Sequence, residues 1–118
     1  MNPAEFRIKA LAMNITTADL AAKYEVDTQT AAGWLSNAEI PLMVAEDIQE
    51  MWLRRIDKIG ETIDLTEQLG EATLLSYVND DDCAHLGMTA DDHSRFLVQV
   101  ATALELADLP YRIETVGE

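Results

Sequence analysis

Between Pro41 and Gly70 the apolar residues Val44, Ile48, Trp52, Ile56, Ile59 and Ile63 return every three or four positions, with charges between them. That rhythm predicts one long helix, stopped by Gly70 and carrying Gly60 inside it at a cost of about 1 kcal/mol relative to alanine. Trp52, Ile56, Ile59 and Ile63 also keep the 4-3-4 spacing of a short coiled-coil seam. A head of roughly 50 residues offers too little surface to cover such a stripe. The helix therefore divides the chain into a head with its long helix, residues 1–70, and an extension, residues 71–118.

The head reads as three short helices. Asn2, Pro3 and Glu5 form a helix start, with a side-chain acceptor, a preset φ and an early carboxylate. Phe6, Ile8, Leu11 and Ala12 continue it to about Met13. Thr16 with Asp19 is a capping box for a second helix reaching Tyr24 or Glu25. Val26-Asp27-Thr28 reads as a turn, and a third helix runs from Thr28 to Leu35 before Ser36-Asn37 breaks it.

The extension differs in character. Residues 73–78 look like a strand, followed by an acidic loop at Asn79-Asp80-Asp81-Asp82. Thr89 with Asp92 is a second capping box, and the helix it opens ends before Pro110. Tyr111-Arg112-Ile113-Glu114-Thr115-Val116 alternates strictly and reads as a second strand. Two strands joined through a helix lie parallel. The predicted fold class is thus mainly α: an N-terminal helix-turn-helix bundle, a long connecting helix and a small C-terminal β–α–β extension. Two strands alone make a marginal sheet, which a second copy of the chain could complete. A homodimer is the expected assembly.

Charge separates the two parts further. The net charge is −14; residues 1–60 hold six basic and nine acidic side chains, and residues 61–118 hold two and thirteen. Any surface that meets phosphate has to come from the first half. No apolar run approaches the roughly 18 residues of a membrane span. The start Met-Asn-Pro-Ala-Glu lacks the basic segment of a signal peptide. A lone cysteine leans towards a reducing compartment. A cytoplasmic location and no membrane partner are expected.

Residues 16–37, TTADLAAKYEVDTQTAAGWLSN, carry the sharpest signal. Small Ala21 stands where two helices must approach, and Leu20, Val26 and Ala31 are spaced to fasten them. Thr16, Asp19-Leu20-Ala21, Val26, Thr30, Trp34 and Ser36-Asn37 resemble the helix-turn-helix of the lambda-repressor-like, or Xre/Cro-type, DNA-binding family. The likeness covers roughly residues 3–52. It implies a dimeric transcriptional regulator, a repressor on a palindromic operator in double-stranded DNA, whose helix at Thr28–Leu35 enters the major groove. The DNA-binding residues it implies are Thr17, Thr28, Gln29, Ala32, Gly33 and Asn37. The order of elements, with Gln99-Val100-Ala101 in the last helix, is similar to small prophage-type and anti-CRISPR-associated regulators with a C-terminal dimerisation region.

Where that family commonly places Arg or Lys, this chain has Gln29, Ala32 and Gly33, and the motif holds Lys23 against Asp19, Glu25 and Asp27. Cations supply most non-specific DNA affinity. The second reading is therefore an acidic protein-binding module on a degenerate helix-turn-helix scaffold, antirepressor-like in its partner choice. Trp34 fits packing better than a phosphate contact. Asp80, Asp81, Asp82, Cys83, His85, Asp91, Asp92 and His93 cluster in sequence but lack paired zinc spacing. No glycine loop for phosphate is present, so no cofactor, metal or catalytic residue is assigned and no enzyme is expected.

Overall fold

The computed structural model describes residues 1–117. Among the described residues the chain is mainly helical, with one two-stranded parallel sheet near its C-terminus. It forms two compact units that divide between Arg54 and Arg55. The long helix α4, Leu42–Leu69, contributes its first half to one unit and its second half to the other. The 70/71 boundary read from sequence follows the end of this helix instead.

In the first unit, α1 spans Pro3–Ala12, and the Asn2 side chain accepts the Glu5 N–H at 2.8 Å. α2 spans Thr17–Tyr24 behind a complete capping box. Thr16 Oγ1 accepts the Asp19 N–H at 3.2 Å, and Asp19 Oδ2 accepts the Thr16 N–H at 2.9 Å. Two donors left over at a helix start are thereby satisfied. Glu25 closes α2 in the left-handed region with φ 54°, a conformation that glycine ordinarily fills. The Val26 N–H then turns back to the Ala21 carbonyl at 3.1 Å. α3 spans Thr28–Trp34, capped by Asp27, which accepts the Thr30 N–H at 2.7 Å. Asp27 thus both makes the turn and starts the helix.

These three helices and the start of α4 enclose Phe6, Met13, Leu20, Ala31, Trp34, Val44 and Ile48, with Ala21, Val26, Met51 and Trp52 packed around them. Leu20 and Ala31 fasten the pair as their spacing predicts.

The second unit combines the end of α4 with β1 (Ala72–Tyr77), a 3₁₀ helix (Asp80–Leu86), α5 (Ala90–Leu106) and β2 (Tyr111–Val116). Gly70, at φ 86°, stops α4. β1 and β2 pair in parallel, with Ala72 beside Tyr111, Leu74 beside Ile113 and Tyr77 beside Val116. Leu74, Val100 and Leu104 form the core, and Ile59 and Ile63 pack on it. Thr66 is buried, but its hydroxyl donates to the Thr62 carbonyl at 2.6 Å and so carries no unmet bond. The apolar seam of α4 is largely consumed inside the chain: Trp52 serves one unit and Ile59 and Ile63 the other. Ile56 remains exposed.

The acidic stretch after β1 is not an open loop. Cys83 is fully buried, and its thiol lies 3.3 Å from the Met88 carbonyl and 3.5 Å from that of Asp80. Burial, reinforced by Asp80, pushes this thiol up from its ordinary value.

Candidate nucleic-acid interface

α3 is asymmetric. Ala31 and Trp34 are buried on one side, and Thr28, Gln29 and Ala32 are exposed on the other. Trp34 meets the Tyr24 ring edge-on, with centroids 6.0 Å apart. Tyr24 is held in turn, its hydroxyl donating to Asp47 on α4 at 2.8 Å. Burial and that bond push the phenol above its ordinary value, so it remains a donor. A seven-residue helix has little stability of its own. Here the Trp34–Tyr24–Asp47 chain fixes its position from behind.

The six residues implied by the resemblance do not share one environment. Thr28 and Gln29 open α3 and are exposed; Ala32 lies one turn further on the same side. Thr17 is the first residue of α2 and is half-buried. Asn37 is exposed in the turn after α3. Gly33, expected on the outer side, is half-buried instead. A Cβ there would stand 3.3 Å from the Ala38 Cβ, and its carbonyl accepts the N–H groups of Ser36 and Ala38 at 3.1 and 3.0 Å. Its smallness therefore serves the turn that ends α3. Ser36 was missed: it is exposed, continues the 29–32–36 line, and its hydroxyl donates to the Ala32 carbonyl at 2.9 Å. That spacing of three and four was visible in the sequence.

Electrostatics constrain what this face can do. α3 itself carries no charge. Residues 1–54 hold four basic side chains against eight acidic ones. Three of the four cations meet groups of their own unit. Lys9 donates to Gln49 at 2.7 Å and lies 5.9 Å from the Trp52 ring centre; Lys23 lies 5.5 Å from that of Tyr24. Arg54 pairs with Glu50 one turn earlier. At the start of α3, the Thr30 N–H holds the Asp27 carboxyl below its ordinary value, so this anion stays charged.

Among the described residues, no group of three or more His, Cys, Asp or Glu side chains is placed to hold a metal ion, and no helix is long and apolar enough to cross a membrane. The chain matches no protein-family model and no curated protein.

Proposed function

We propose that this chain is a DNA-binding regulator of the helix-turn-helix type, working as a cytoplasmic dimer and reading its site with α3. One observation supports this reading above the others: α3 is anchored through Ala31 and Trp34 and bare along Thr28, Gln29 and Ala32. A short helix fixed from behind, with small and hydrogen-bonding side chains outside, suits entry into a major groove. The Gln29 amide matches the N6 and N7 edge of adenine, and the Ala32 methyl suits a thymine methyl. Thr17 opens α2 and Asn37 follows α3 in the turn. With so few free cations, specific contacts carry a larger share of the affinity than usual, and the salt dependence is shallow. Titration of labelled DNA from the gene's own upstream region, at low and moderate salt, tests this. A preferred sequence should emerge; equal affinity for random DNA overturns the reading.

The acidic protein-binding module keeps one specific support, the carboxylates of Glu25 and Asp27 at the turn into α3, with Asp19 at the start of α2. Asp27→Asn separates the two readings, because asparagine caps a helix as well as aspartate does. Removal of that charge should raise affinity for DNA, whereas a basic protein partner would bind more weakly.

A further inference from the structure

We infer that the outer edge of β2 pairs antiparallel with β2 of a second copy of this chain, in the register centred on Ile113, to build a four-stranded sheet. This names the partner contact behind the dimer in the regulator reading, and it rests on that reading only for its purpose. Its evidence lies wholly in the second unit.

The first observation is the direction of the backbone. The Ala72 N–H donates to the Pro110 carbonyl and the Val78 N–H to the Val116 carbonyl, at 3.1 and 3.2 Å. With the parallel register, this alternation turns the backbone groups of Arg112, Glu114 and Val116 towards β1. Those of Tyr111, Ile113 and Thr115 turn outward. Among the described residues β2 has β1 as its only strand neighbour. Three outward N–H groups and three outward carbonyls therefore form a bare edge, a template for another strand.

The second observation is a charge pattern that matches itself. Around a two-fold axis at Ile113, Ile113 faces its own copy and Tyr111 faces Thr115. Both are hydrogen-bonded pairs, as the outward groups require. Arg112 then faces Glu114 of the other copy, twice, in the non-hydrogen-bonded positions where side chains come closest. A centre at Arg112 would oppose two arginines, and one at Glu114 two glutamates. Of the neighbouring even registers, only the one at Ile113 joins opposite charges. In the single chain, the carboxylates near Arg112 are exposed, Glu114 at 3.4 Å and Glu71 at 3.6 Å.

The third observation is apolar. Ile113 is 52% exposed and Val98, on α5, is 65% exposed. Both line a groove of about 370 Å³ with Leu97, Ala101 and Tyr111. Pairing at Ile113 brings the second Ile113 to the rim of that groove and extends the core formed by Leu74, Val100 and Leu104.

Sedimentation equilibrium without DNA tests the pairing independently of DNA binding, so each proposal can fail while the other stands. Wild type should dimerise at micromolar concentration; a monomer persisting at tens of micromolar overturns the inference. Arg112→Glu and Glu114→Arg should each weaken association about tenfold, since each turns two attractive cross-strand pairs repulsive. Long-range repulsion between acidic chains would instead make the two substitutions act in opposite directions. An equimolar mixture of the two variants should form a heterodimer near wild-type strength, because the two carboxylates of one chain then face the two guanidinium groups of the other. A mixture that stays monomeric, or single variants that associate like wild type, overturns the register. Both positions are exposed, and unchanged circular dichroism of each variant verifies the fold.

Discussion

The first unit keeps Phe6, Ala10, Met13, Leu20, Ala31, Trp34, Val44 and Ile48 from water, whereas the second buries Leu74, Cys83, Val100 and Leu104 among its apolar side chains. Apolar exposure alone does not distinguish them, since the first unit also exposes Ile8, Leu11, Leu42 and Met43. The backbone does. Helices satisfy their hydrogen bonds within themselves, while a two-stranded sheet leaves a row of donors and acceptors on each outer edge. The first unit has no sheet edge among its described residues. The second leaves the outer edge of β2 without a strand neighbour among the described residues.

The largest effect expected from this contrast follows Phe6→Ala. Phe6 is fully buried, and truncation there costs about 3–5 kcal/mol, much of the stability of a small domain. DNA binding should disappear and tryptophan fluorescence should report a loosened first unit. Association through β2 should persist in sedimentation. Loss of both would show that the second unit cannot stand without the first.

Gln29→Ala is next in size. It should weaken binding to the preferred sequence by about 1–3 kcal/mol, the worth of one bidentate base contact. Its melting temperature should be unchanged because Gln29 is exposed. An equal loss on random DNA would contradict a base-reading role.

These positions also mark how far the sequence was legible. Local signals were clear: Asn2, Thr16 and Thr89 cap the helices they were read to cap, and residues 111–116 form the strand that their alternation indicates. The failures depended on distant partners. Gly33 passed for an outer residue because its contact, Ala38, lies across a turn whose path no periodicity encodes. Asp80-Asp81-Asp82 looked like a loop, yet the stretch winds into a 3₁₀ helix around buried Cys83. The Arg55 guanidinium donates to Gln99, 44 positions away, and lies 5.3 Å from the Phe96 ring centre. No spacing rule anticipates such a pair. In the candidate site, the place of Thr28 and Gln29 at the start of α3 was readable, while the Trp34–Tyr24–Asp47 support required tertiary structure.

A smaller effect sharpens the account of the turn between α2 and α3. Glu25 sits at φ 54°, where a side chain costs roughly 1–2 kcal/mol. Glu25→Gly relieves this but frees the unfolded chain by about 0.4–1 kcal/mol. The net result should be a first unit stabilised by up to about 1.5 kcal/mol, seen as a higher urea midpoint. Destabilisation would mean that the Glu25 side chain itself holds the turn.

The smallest effect distinguishes the units by pH. Both histidines, His85 and His93, lie in the second unit. The His93 ring stands edge-on to Tyr77 with centroids 4.9 Å apart, and its Nδ1 is buried without a hydrogen-bond partner among the described residues. Burial, then the neighbouring His85, lowers its pKa below the ordinary 6.5. The unfolded chain therefore takes up a proton near pH 6.5 while the folded one still refuses it. In that window the unfolded state holds more protons, so stability rises with pH and is lost as pH falls below about 6.5. The first unit has no histidine, and the depressed carboxyl of Asp27 loses its contribution only below its ordinary 3.8. Trp34 and Trp52 both lie in the first unit, so fluorescence follows that unit alone, whereas circular dichroism follows both. Between about pH 7 and 5 the dichroism midpoint in urea should fall and the fluorescence midpoint should hold. His93→Phe should flatten the former by removing the titrating group and its unpaired nitrogen. Two midpoints falling together would instead make the molecule one cooperative block joined through α4.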